Sequence, residues 1–144
     1  MSDEIAPAFV DTNILVYAFD KSPTPKKRIA QRLMHELMDE DRLRVSTQIL
    51  QELFVTLTRK VSQCCSTEEA LALLEDLSAW PLMTVDYAAI RAAIGLAGQA
   101  QLSFWDALVV VAAARTGAAV LYTEDLSDGQ EILGVRISNP FAEK

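Results

Sequence analysis

Ser103-Phe104-Trp105-Asp106-Ala107-Leu108-Val109-Val110-Val111-Ala112-Ala113-Ala114 runs straight into Arg115-Thr116-Gly117-Ala118-Ala119-Val120-Leu121-Tyr122-Thr123-Glu124-Asp125. Ser103 with Asp106 three residues on marks a helix start, and Gly117 marks its end. The body from Ala107 to Ala114 carries no polar side chain, so this helix has no face suited to water and should be buried on nearly every side. Val120-Leu121-Tyr122 then reads as a short strand that stops at three polar residues. Working outward, the same alternation fills the chain. Upstream, Ala8-Phe9-Val10 is a brief apolar run ending at Asp11, followed by a turn of helix from Ile14 to Phe19. Ser22-Pro23-Thr24-Pro25 starts a helix with Ile29, Leu33 and Leu37 at four-residue steps. Leu43-Arg44-Val45 is a second strand, and Thr47 is expected to cap a helix bearing the stripe Ile49, Leu50, Leu53, Phe54 and Leu57.

Ser66-Thr67-Glu68-Glu69 has capping-box spacing, with Ala70, Leu71, Leu74 and Leu77 behind it as a core face. Leu82 to Val85 is a third strand, and Asp86 caps an Ala-rich helix reaching about Gly98. Downstream of the opening stretch, Asp128-Gly129 makes a turn and Val135-Arg136-Ile137 makes the last strand. Strands alternating with helices at this spacing predict crossover units, hence an α/β fold with a parallel sheet covered by helices on both faces. In such sheets the functional crevice lies beyond the carboxyl ends of the strands, where the strand order reverses.

The chain has 144 residues, 51% of them hydrophobic, enough for one core in a single domain spanning 1–144 without staples. No stretch approaches the roughly 18 apolar residues of a membrane span. The acidic start Met1-Ser2-Asp3-Glu4 is unlike a secretory signal, and the adjacent Cys64 and Cys65 are badly placed to bridge each other; both features predict a cytoplasmic setting. A formal charge of −7 opposes non-specific nucleic-acid binding, so a polyanionic substrate would need a basic rim or metal ions to mask the carboxylates.

Four acids draw attention. Asp11 directly follows the first strand and Asp125 follows the strand at Tyr122 by three residues, so both project from the carboxyl edge. Asp106 opens the buried helix, and Glu52 borders the apolar stripe of its own helix. Individually, each is an ordinary cap, turn or surface acid. Converging, they could not all stay ionised without a cation, and oxygen-only ligands select hard ions such as Mg²⁺ or Mn²⁺. Such ions activate water and polarise phosphoryl groups. The remaining inventory is poor: His35 is mid-helix with no Ser or Cys partner, the cysteine pair lacks further zinc ligands, and no glycine-rich phosphate loop is present. Lys26-Lys27-Arg28 and Arg59-Lys60 could steer RNA but read first as solvated helix ends or faces, and Trp80 and Trp105 read as core rather than as base-stacking platforms.

Phe9-Val10-Asp11-Thr12-Asn13-Ile14-Leu15, Gln51-Glu52-Leu53, Phe104-Trp105-Asp106-Ala107-Leu108 and Leu121-Tyr122-Thr123-Glu124-Asp125-Leu126, in this order, resemble the PIN domain of VapC-type toxins, and Asn139-Pro140-Phe141 resembles one bacterial subgroup. The resemblance implies a three-layer α/β/α fold around a parallel sheet of four to five strands. It implies an Mg²⁺- or Mn²⁺-dependent endoribonuclease with Asp11, Glu52, Asp106 and Asp125 as catalytic and metal-holding residues. Asp11 and Asp106 match direct ligands, while Glu52 and Asp125 match positions that coordinate directly or through water. Thr12, Asn13 and Thr123 match polar positions that steady the loops or contact water on the metal. Single-stranded or structured RNA as substrate, products ending in 3′-hydroxyl and 5′-phosphate, an antitoxin that blocks the cleft and a homodimer are further implications. Two rivals stand beside this reading: a non-catalytic module binding RNA or protein through the same cleft, and a small-molecule phosphohydrolase.

Overall fold

The computed structural model describes residues 6–59 and 65–142. The expectations for Met1 to Glu4, for Lys60 and for Cys64 fall outside them. Strands β1 (Ala8–Val10), β2 (Leu43–Ser46), β3 (Leu82–Met83), β4 (Val120–Tyr122), β5 (Glu131–Ile132) and β6 (Val135–Ser138) form a six-stranded sheet in the order β3-β2-β1-β4-β6-β5. Six helices flank it in a three-layer α/β/α arrangement: α1 (Thr12–Phe19), α2 (Pro25–Asp39), α3 (Thr47–Leu57), α4 (Thr67–Ser78), α5 (Tyr87–Ala100) and α6 (Phe104–Arg115). None of these helices is long and apolar enough to cross a membrane.

The central strands β1 and β4 are parallel, with Val10 opposite Tyr122, and both are buried except for half-buried Tyr122. From β1 the chain builds outward through β2 to β3, then returns through α6 to lay β4 on the other side of β1. The order therefore reverses between β1 and β4. Beyond their carboxyl ends no neighbouring connection fills the space, which is the general reason such junctions hold ligands. The backbone N–H of Asp11 donates to the Tyr122 carbonyl at 3.0 Å, locking the two strand ends side by side.

Helix α6 is the centre of the core. Ala107 to Ala113 are all buried, as the absence of polar side chains requires. Other elements differ from the sequence reading in instructive ways. A sixth strand, β5, pairs antiparallel with β6 through the two-residue turn Leu133-Gly134, both at positive φ (52° and 78°), the geometry that matches strand twist in a tight hairpin. A leucine rarely adopts that conformation, so nothing in the local sequence announces the turn. The five parallel strands β3, β2, β1, β4 and β6 match the expected four to five, and β5 adds an antiparallel edge strand. Ser46, not Thr47, caps α3 by accepting from the Ile49 N–H; the Thr47 hydroxyl accepts instead from Val85 N at 3.1 Å, fastening the β3 edge. Helix α2 buries Ala30, Met34 and Leu37 while Ile29 faces outward, and Leu71 of α4 is exposed beside buried Ala70 and Leu77.

Candidate active site

Asp11 leaves the end of β1 as the N-cap of α1, with its Oδ1 accepting from the Thr12 N–H at 2.7 Å. Its other oxygen, Oδ2, accepts from the hydroxyl of Thr123, the first residue after β4, at 2.9 Å. The carboxylate is only 7% exposed. Burial raises its pKa from 3.8 to about 6, against the two hydrogen bonds, with the neighbouring charges of Asp125 and Glu52 adding to the rise. An acid so placed lacks a compensating positive charge.

The surrounding hydrogen bonds join the other predicted residues to it. Thr123 is fully buried; besides donating to Asp11 it accepts from the Asp125 N–H at 3.1 Å and from Asn13 Nδ2 at 3.5 Å. Thr12, one residue past Asp11, donates its hydroxyl to Glu52 Oε1 at 2.8 Å, which ties α1 to α3. Asp106 enters from the first turn of α6, where Ser103 caps the helix by accepting from the Asp106 N–H. The carboxylate of Asp106 does not bond back to Ser103, so the capping-box explanation for that residue does not hold; among the described residues it has no hydrogen-bond partner.

All four acids line one open cleft of about 760 Å³ beyond the β1 and β4 ends, with Thr12 and Asn13 beside them. They do not close into a compact ligand set, for among the described residues no three of His, Cys, Asp and Glu form a ready metal-holding group. Two further oxygens fit the donor set. Asn13 Oδ1 and Gln48 Oε1 are buried, face no hydrogen-bond partner, and belong to residues lining the same cleft. Buried carbonyl oxygens without partners are costly, and they occur here in the one place where oxygen donors would be used by a hard divalent cation.

Gln48 is the residue that sequence reasoning missed. It is 4% exposed, and its Nε2 lies 3.4 Å from Glu52 Oε2 and 3.3 Å from the Trp105 carbonyl, joining α3 to the start of α6. Its spacing of four residues before Glu52 was the available signal, since i and i+4 share a helix face. A second missed cluster closes one rim of the cleft. Tyr17 donates its hydroxyl to Glu124 at 2.7 Å, and Lys26 reaches both Glu124 (2.9 Å) and the Tyr17 oxygen (3.3 Å) while lying over the rings of Tyr17 and Phe141. Burial pushes the Glu124 carboxyl upward, but these two donors outweigh it and hold it below its ordinary value; the same bond to Glu124 raises Tyr17. Lys26 is therefore an ion-paired rim residue rather than a free solvated end. Trp80 is half-buried against the core as expected, whereas Trp105 is 62% exposed and lines the cleft. His35 is exposed on α2, away from all of this.

Residues 8–127, spanning every one of the four acids, match the family model of the PIN domain. The chain belongs to the PIN domain family. Among solved structures it is similar to a toxin–antitoxin complex from Klebsiella pneumoniae (19% identity, 93% of this chain and 98% of that one, TM-score 0.68). It is similar also to DNA-bound VapBC from Salmonella typhimurium (21% identity, 94% and 98%, TM-score 0.63). A third likeness is to the sarcin-ricin loop cleaving toxin VapC20 of Mycobacterium tuberculosis (19% identity, 79% and 86%, TM-score 0.63). No curated protein matches the sequence. At these identities the likenesses speak to the PIN fold, and the chemistry has to be argued from the cleft itself.

Proposed function

We propose that this PIN domain is an Mg²⁺- or Mn²⁺-dependent endoribonuclease that hydrolyses RNA phosphodiester bonds, and that it acts as the VapC-type toxin of a toxin–antitoxin pair. The observation that carries the chemistry is the cleft at the β1–β4 reversal, where Asp11, Glu52, Asp106 and Asp125 meet two partnerless buried amide oxygens. That donor set is all oxygen and strongly anionic, which suits a hard divalent cation and no soft one. In this reading Asp11 and Asp106 hold the cation directly, and Glu52 and Asp125 hold it directly or through water. When bound, the cation supplies Lewis-acid polarisation of a phosphoryl oxygen and lowers the pKa of a water that attacks phosphorus.

The chain's own residues do the rest. Thr123 and the Thr12 N–H fix both oxygens of Asp11, leaving it one orientation. The Thr12 hydroxyl and the Gln48 amide each donate to one oxygen of Glu52. Asn13 lines the same cleft, is steadied by Thr123 and keeps its carbonyl oxygen buried without a partner. Orientation of this kind is what holds ligand oxygens ready without reorganisation at the moment of reaction.

The toxin role rests on the neighbours named above, which are toxins or toxin–antitoxin complexes. It brings with it an antitoxin polypeptide as partner, a homodimer as assembly and the cytoplasm as the setting. A non-catalytic binding module is the second reading, favoured by the absence, among the described residues, of a closed group of three acids. The test is cleavage of RNA by the purified chain with Mg²⁺ or Mn²⁺, compared with Asp106→Asn and with excess chelator. Cleavage that survives both changes excludes the proposed site. A thermal shift with Mn²⁺ but no cleavage of any RNA supports the second reading, and turnover of p-nitrophenyl phosphate alone would move the substrate to small phosphate esters.

A further inference from the structure

Trp105 is 62% exposed although it stands between half-buried Phe104 and half-buried Asp106, at the head of a helix whose body has no solvent face. An indole left in water forgoes the large burial a tryptophan ordinarily supplies. Nor is it loosely placed. Its carbonyl accepts from Gln48 Nε2 at 3.3 Å, and its ring meets that of Phe104 edge-on, with centroids 5.0 Å apart and planes at 75°. The ring is thus held beside Asp106 on the wall of the acid-lined cleft. On α3, Glu52, Val55 and Thr56 line the same cleft, with Val55 51% exposed, and Arg59 lines it just past the C-cap of that helix, Thr58. Arg59 is the one cation lining the cleft among the described residues, and it makes no ion pair there.

A divalent ion uses oxygen donors and needs neither an indole nor a guanidinium. The cleft volume of about 760 Å³ is that of a site for an organic group. An aromatic face together with a cation is the recognition pair of single-stranded nucleic acid, in which bases stack on rings and phosphates meet Arg or Lys. A duplex does not present its base faces, so the strand must be unpaired at this point. A basic polypeptide would be opposed by Arg59, whereas a polyanion with flat apolar faces satisfies both residues.

We propose that Trp105 and Arg59 form a nucleotide subsite flanking the four acids: the indole stacks one base of single-stranded RNA next to the cleaved linkage, and the guanidinium receives a phosphate of that strand. The phrase "next to the cleaved linkage" rests on the nuclease reading; the binding itself does not.

The probe is a short fluorescently labelled oligouridylate, and the same strand with abasic positions, titrated onto the full chain carrying Asp106→Asn in Mg²⁺ so that it stays intact. Trp105→Ala should weaken binding of the intact strand about ten- to hundredfold and remove the quenching of tryptophan fluorescence, while Trp105→Phe restores most of the affinity. On the abasic strand the penalty of Trp105→Ala should vanish. Arg59→Ala should weaken binding of both strands alike and make the salt dependence shallower by about 0.7 in slope, which Trp105→Ala leaves unchanged. Equal melting temperatures establish that the variants fold. The subsite is overturned if Trp105→Ala binds the intact strand as tightly as its parent, if the parent binds no single strand, or if Trp105→Ala abolishes binding of a basic polypeptide while sparing RNA. If the strand binds as described but the chain with native Asp106 cuts no RNA, the nuclease reading fails and the subsite stands.

Discussion

At the β1–α1 junction Asp11 is buried, both of its oxygens are held by short hydrogen bonds, and its pKa is lifted to about 6. Across the same cleft, in the first turn of α6, Asp106 is half-buried, and its carboxylate has no partner among the described residues. The two carboxylates are proposed to hold one cation, yet the fold treats them oppositely. Asp11 is fixed by the central strands and is expensive to keep ionised; Asp106 stands half-buried at a helix start, and among the described residues no hydrogen bond orients its carboxylate. The lesson is that one side of such a site can be prepared by the sheet, at some loss of stability, while the other remains adjustable.

Several measurements sharpen or break this contrast. The largest effect should be on catalysis, where it disappears: Asp11→Asn and Asp106→Asn should each lower metal-dependent RNA cleavage on the order of a thousandfold or more, as loss of several kcal/mol of charge stabilisation implies. Comparable initial rates in either variant would contradict the shared role.

Stability should separate the two. Because the folded-state pKa of Asp11 lies above its unfolded value of 3.8, its contribution to stability is fully present below about pH 4 and is lost as pH rises through about 6. In metal-free protein at pH 8, Asp11→Asn should therefore raise stability, by on the order of 1–3 kcal/mol, and flatten that pH dependence. Asparagine remains a good N-cap, so the helix start is kept. Asp106→Asn should instead lower stability by a few tenths of a kcal/mol, through loss of a negative charge in the first turn of α6. Denaturant titrations at pH 4 and pH 8 check both signs, and identical behaviour of the two variants would remove the asymmetry.

A smaller effect should follow at the residue joining the two sides. Gln48→Ala should weaken Mn²⁺ binding about tenfold to a hundredfold, read from the concentration dependence of the thermal shift, because Glu52 and the Trp105 carbonyl lose their common donor. The smallest change belongs to the rim. Lys26→Met should alter stability by less than about 1 kcal/mol, since the ion pair with Glu124 is partly solvent-exposed.

Much of this architecture was legible in the chain. Helix α6 declared itself by having no polar side chain from Ala107 to Ala114, and β1 and β4 by apolar runs cut short at Asp11 and Thr123. Strand β5 was not legible, because its turn depends on Leu133 taking a left-handed conformation that a local propensity argument assigns elsewhere. Trp105 was misread because an apolar neighbourhood in sequence does not fix the direction of a side chain at a helix end. Gln48 was overlooked because a polar residue beside an apolar stripe ordinarily faces water.

Sequence by itself determined which segments are buried helix and which are strand, since hydrophobic pattern and caps act over a few residues. It also determined that the acids fall at the ends of those segments. Only tertiary structure decided that Asp11, Glu52, Asp106 and Asp125, up to 114 positions apart in numbering (11 to 125), line one cleft, and that Asn13 and Gln48, which line it too, keep a buried oxygen without a hydrogen-bond partner. The reason is physical: that meeting depends on the reversal of strand order between β1 and β4, a long-range pairing that no local pattern encodes.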